Sequence, residues 1–134
     1  MKKALVIPDE IVMNQIYYIR EQKVMLDKEL AELYQVATGV LNQAVARNIK
    51  RFPPDFMFQL TEQEWTNLKS QIKTSNWGGR RKLPYAFTEQ GVAMLSGILN
   101  SERAIVVNIQ IMRIFIRIRQ MFIDNTDLRL EIEK

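Results

Sequence analysis

The sequence predicts an α+β fold: small antiparallel strand pairs with a helix-turn-helix-like unit and a long C-terminal helix. Three observations point there. Short runs rich in β-branched and aromatic residues, at 16–20, 23–26, 56–60 and 83–87, have strand composition. Between them lie stretches whose apolar residues recur three and four apart, as a single buried helix face requires. A length of 134 residues suits one domain, and such a chain buries roughly two-thirds of its unfolded surface without a staple.

The elements follow in order. Residues 16–20 and 23–26 flank Glu21-Gln22 and predict a short hairpin. Asp27 is placed to cap a helix with Leu30, Leu33 and Tyr34 inward. Gln35-Val36-Ala37 breaks it, and Thr38 is placed to cap a second helix to about Ile49, with Leu41, Ala44, Val45 and Ile49 on its inner face. Pro53-Pro54 ends that unit. A strand at 56–60 runs into Thr61-Glu62-Gln63-Glu64, a capping-box pattern that opens a helix to about Lys69. Residues 70–82 have loop composition. A strand at 83–87 leads through Thr88-Glu89-Gln90 into a helix carrying Met94, Leu95, Ile98 and Leu99. Ser101 is placed to cap the last helix, to about Phe122, whose polar face is a narrow stripe of Gln110, Arg113, Arg117 and Gln120. Asp124 to Asp127 predicts a break and a new cap. Residues 1–123 are therefore expected to form the domain and 124–134 to start a tail or further helix.

Composition narrows the chemistry. The chain has no cysteine, which excludes disulfides, thiolate zinc sites and thiol nucleophiles. It has no histidine, the commonest metal ligand and the commonest general base near neutral pH. Ser70-Gln71-Ile72-Lys73 fits the Ser-x-x-Lys pattern of some acyl enzymes, but the companion motifs are missing. No enzymatic activity, metal or cofactor is expected. The apolar run after Lys3 stops at Pro8, too short for a signal peptide, and no run spans a bilayer. The expected location is cytoplasmic, with no membrane partner.

The net charge is +4. Residues 47–82 carry eight basic and three acidic side chains, so the middle of the chain holds +5 and the remainder −1. One basic face meeting a polyanion would show this asymmetry. Two constellations fall near it. The helix pair from Asp27 to Lys50 has the plan of a DNA-reading helix-turn-helix, in which outer residues of the second helix meet base edges. Thr38, Asn42, Gln43, Arg47, Lys50 and Arg51 are the candidate contacts, Asn and Gln for adenine, Arg and Lys for guanine or phosphate. An ordinary helical hairpin has the same pattern. The second is the loop Ser75, Asn76, Trp77, Arg80, Arg81 and Lys82. Its tryptophan can stack on a base or sugar, and its cations can neutralise phosphates. A solvated loop has the same composition.

At this point the residues resemble a known family. Residues 23–34, Leu41-Asn42-Gln43-Ala44-Val45, Arg51-Phe52-Pro53, residues 55–61, Gly78-Gly79-Arg80-Arg81 and residues 83–95 are similar to the phage ORF-six N-terminal domain, a relative of the KilA-N and Bro-N antirepressor-type domains. The resemblance implies a phage or bacterial domain that binds DNA and regulates phage or prophage genes. Two positions depart from it: Gln35 stands where the family often has glycine, and Gly39 where it often has a charge.

The first expectation is thus double-stranded DNA binding in phage-type transcription regulation. The alternatives are an antirepressor-like module that grips another regulator protein, and a single-stranded nucleic-acid binder using the Trp77 loop. The apolar girth of the last helix further predicts a homodimer, with Ile111, Ile114, Phe115 and Ile118 on the shared face.

Overall fold

The computed structural model describes residues 7–71 and 82–133, with 124–133 as backbone. The order is α1 (Asp9–Met13), β1 (Tyr17–Ile19), β2 (Gln22–Leu26), α2 (Asp27–Tyr34), α3 (Thr38–Arg47), a 3-10 turn (Ile49–Arg51), β3 (Met57–Gln59), α4 (Glu62–Lys69), β4 (Tyr85–Thr88), α5 (Glu89–Leu99) and α6 (Glu102–Glu133). The fold is α+β. The expected strand pairs join into one antiparallel sheet of order β1-β2-β4-β3.

The sheet separates two apolar layers because successive side chains of a strand point to opposite faces. Met25 and Phe87 face the larger core, built with Leu30, Tyr34, Leu41, Leu95, Ile111 and Phe115 from α2, α3, α5 and α6. Val24, Leu26 and Ala86 face a smaller one, closed by Trp65 and Leu68 of α4. The β1–β2 turn sits one residue earlier than expected: Ile19 pairs with Gln22, and Arg20 and Glu21 both have positive φ, 55° and 61°. Two left-handed residues give a turn whose twist matches the flanking strands. Arg20 is held there by Glu64, at 2.7 Å from Nε and 3.1 Å from Nη2, and lies 4.1 Å from the centre of the Phe58 ring.

Some expected caps form and others do not. Thr61 and Glu64 make the reciprocal capping box, Thr88 caps α5, and the Ser101 hydroxyl accepts from the Ala104 amide at 3.0 Å. Asp27 and Thr38, however, are the first residues of α2 and α3; the cap positions are Leu26 and Ala37, with no side-chain cap bond. α3 ends at Arg47, where the Asn48 side chain donates back to the Ala44 carbonyl. Ile49, expected on the inner face, is thereby turned outward and is 53% exposed.

The last helix differs most from expectation. It continues through Asp124 to Asp127 to Glu133. Those residues are only weakly unfavourable in a helix, and no proline or glycine interrupts them. Ile111, Ile114 and Phe115, expected on a shared dimer face, are fully buried inside this chain's own core, and Ile118 packs half-buried against it. They are core residues because α2, α5 and α1 all close on the same side of α6. Gln110 and Arg117 bind Asp9 of α1. Arg103 donates to the Leu33 carbonyl of α2. Inside, Asn108 of α6 accepts from the Tyr34 hydroxyl and donates to the Val92 carbonyl at 2.6 Å, tying α2, α5 and α6 through one buried amide.

Candidate nucleic-acid interface

The candidate interface begins with the turn between α2 and α3. Gln35 closes α2 in the left-handed conformation (φ 62°, ψ 44°). The Gln35 and Val36 amides donate back to the Glu32 and Ala31 carbonyls, the reversed bonding that ends many helices at a glycine. A left-handed φ favours glycine, and here glutamine takes it. Three residues therefore join two short helices, and Leu41 and Val45 bury one face of α3.

The opposite face of α3 is open. Gly39, Val40, Gln43, Ala46 and Arg47 are exposed, and Lys50 and Arg51 extend the surface beyond the helix end. Among the described residues, Arg47, Lys50 and Arg51 have no ion pair or side-chain hydrogen bond to offset their charge. Gly39 has open space where a Cβ would lie. With Ala46 it leaves a low surface between the longer side chains, into which a phosphate chain or groove wall could come close. Val40, 53% exposed on the same stripe of α3 as Arg47, is not among the expected contacts. A helical wheel from Thr38 places it next to Arg47, but an apolar residue draws no attention in a search for polar contacts. An outward valine can meet a thymine methyl.

Two of the expected contacts have other surroundings. Asn42 is half-buried and its side-chain amide donates to the Asp27 carboxylate at 3.1 Å. Asp27, itself fully buried, also accepts from the Lys28 amide at 2.7 Å. Asn42 is thus a clasp between α2 and α3, which takes its amide away from the outer face. Thr38 is half-buried in the first turn of α3. Gln43, Arg47, Lys50 and Arg51 share the open surface as expected. Ser75, Asn76, Trp77, Arg80 and Arg81 lie outside the described residues; Lys82, where the description resumes, is exposed.

Two other features bear on the chemistry. Under β1 and α2, the Tyr17 hydroxyl donates to Glu29 at 2.8 Å, while the second Glu29 oxygen is buried without a partner. Burial pushes the Glu29 carboxyl up to about 7, against the opposing Tyr17 hydrogen bond. Burial and the nearby Glu29 charge also raise the Tyr17 hydroxyl well above its ordinary range. Among the described residues, no group of three or more acids could hold a metal ion, and no helix is long and apolar enough to cross a membrane.

The model of the ORF6N domain matches residues 14–98. This span starts just before β1 and ends in α5, so it holds the whole sheet and the α2–α3 unit. No curated protein matches the chain, and no solved structure does.

Proposed function

From the premise that the chain belongs to the ORF6N domain family, we propose that it is a non-enzymatic, cytoplasmic module that binds double-stranded DNA in phage-type gene regulation. The observation that carries this reading is the open face of α3, the second helix of a helix-turn-helix-like pair: Gly39, Gln43 and Ala46 are exposed along it, and Arg47 at its end with Lys50 and Arg51 just beyond have no ion pair or side-chain hydrogen bond among the described residues. Lys and Arg beside the groove would neutralise phosphates. Gln43 and Val40 at the centre would read adenine and thymine. The basic segment from Ser75 to Lys82 would add phosphate contacts and a stacking tryptophan. Two copies acting together would present two such helices to a pseudo-palindromic site.

A substitution series separates positioning from reading. Replacing Arg47, Lys50 and Arg51 by alanine should weaken binding to all duplexes alike and lower the salt slope by about 0.9 per lost phosphate contact. Gln43→Ala should leave random DNA nearly unaffected while lowering preference for the best site by roughly 1–3 kcal/mol. An unchanged salt slope, or equal losses for Gln43→Ala on every sequence, would refute the assignment of this face.

A further inference from the structure

α6 has two apolar faces, and the domain uses one. Ala104, Val107, Ile111, Ile114, Phe115 and Ile118 bury the inner face. Turned away from it lie Ile105, Ile109, Ile116 and Ile123, with Met112 at the edge of the stripe, half-buried and packed against the core. Ile109 and Ile116 are 46% and 54% exposed, and Ile105 and Ile123 are about as open. Their spacing of four, three, four and seven is the alternation of a coiled-coil seam, and in the sequence it continues in phase to Leu130. Four of the five are isoleucine, and the stripe is interrupted by one charge, Arg119, which is bound to Glu89 of its own chain at 2.5 Å.

We infer that this outer stripe is a coiled-coil seam joining two copies of the chain in parallel. The inference rests on the two-copy part of the proposed function and specifies its surface. A second copy is the fitting occupant because a neutral apolar stripe is complementary to itself, as a two-fold interface requires. Its extent also fits. The exposed apolar patch is on the order of several hundred Å2. That reaches the largest patch typical of a monomer, about 300–600 Å2, and approaches the roughly 800 Å2 per partner of a standard interface.

The parallel direction follows from where the helix goes. Among the described side chains, Ile118 is the last of α6 in the core cluster and Phe122, under Lys23, the last to meet the domain, yet the helix runs on to Glu133. An unaccompanied helical stretch of that length is marginal in water. Parallel pairing sets the two extensions against each other with the isoleucine phase intact. Antiparallel pairing points each extension past the start of the partner's α6. Because the exposed isoleucines of the seam are turned away from the core-facing residues, the two domains flank the pair, and both α3 helices keep the same relation to the two-fold axis.

Mass and cross-linking test this without DNA, so failure of DNA binding and failure of the seam are read separately. Sedimentation equilibrium at tens of micromolar should give a dimer. Ile109→Glu with Ile116→Glu should give a monomer with unchanged helical circular dichroism, since both side chains lie outside the core. The chain has no cysteine, so Ile109→Cys and Ile116→Cys, made separately, report direction. Each should oxidise to a disulfide dimer, because parallel pairing sets like positions within bridging distance. A monomeric wild type overturns the inference, as does a dimer that survives the double substitution. Cross-linking of Ile109→Cys only when mixed with Ile123→Cys would overturn the parallel arrangement. If the double variant loses helix, the cysteine variants decide: no homotypic cross-link overturns the seam.

Discussion

Replacing Gly91 by alanine should destabilise the domain, although helix propensity alone predicts the opposite. Gly91 is in the first turn of α5, where alanine is favoured over glycine by about 1 kcal/mol. A Cβ added there would lie 2.0 Å from the Phe56 carbonyl oxygen and 3.0 Å from its carbon, where ordinary contact begins at 3.4 Å. The obstacle is backbone. It is also pinned, because the Thr88 amide donates to that same Phe56 oxygen at 3.0 Å, and the Thr88 hydroxyl donates to the Asp55 carbonyl at 2.9 Å. Opening the gap must break these bonds or move α5 off the sheet. Overpacking a tight core costs about 1–3 kcal/mol, occasionally more. With the obstacle in backbone, the overpacking cost belongs at the upper end of that range, and the net change after the propensity gain should be a loss of about 2 kcal/mol. Urea unfolding followed by circular dichroism measures it as a lower midpoint. Gly97→Ala is the control: it has open space for a Cβ and should gain roughly 0.5–1 kcal/mol. A Gly91→Ala protein as stable as the wild type would refute the close approach of α5 to the segment before β3.

Three further outcomes follow from buried or strained groups. Burial raises the Glu29 carboxyl to about 7, so its folded value exceeds its unfolded one. Its contribution is fully present below about pH 4.5 and is lost as pH rises through 7, by up to about 3 kcal/mol; Glu29→Gln should flatten that fall in urea midpoints between pH 5 and pH 8, and identical slopes would contradict it. Gln35→Gly should raise stability by about 0.5–1 kcal/mol by relieving the left-handed residue, with a lower unfolding midpoint as the contrary result. Tyr34→Phe strands the buried Asn108 oxygen and should cost about 1–3 kcal/mol in thermal or urea unfolding; an unchanged midpoint would show that the tyrosine hydroxyl is not Asn108's necessary donor.

The elements were legible where local chemistry determines them. Thr61 and Glu64 announce a capping box, Pro53-Pro54 ends the α3 unit, and the inner residues Leu41 and Val45 recur at helical spacing. What was not legible depends on long-range neighbours. Nothing near Ile111, Ile114 or Phe115 in the sequence says which side of α6 meets α2 and α5, so the apolar girth alone does not distinguish a core face from a partner face. Asn42 has the right residue type and the right helix for base reading, yet it turns toward Asp27, fifteen positions earlier. Gln35 was legible only as a departure from the resembled glycine; its positive φ is a conformation that favours glycine. The cations Arg47, Lys50 and Arg51 were legible because long charged side chains off the Leu41–Val45 face stay at the surface.

The central claim, that this domain binds duplex DNA through the α3 face, is tested most directly by fluorescence anisotropy of the wild-type chain. Pooled random duplexes and single strands of equal length would be titrated from low to moderate salt. The account predicts duplex binding with log affinity falling linearly against log salt, at a slope of about −0.9 for each phosphate contacted, and weaker binding to single strands. Absence of duplex binding even at low salt, or a clear preference for single strands, would contradict it.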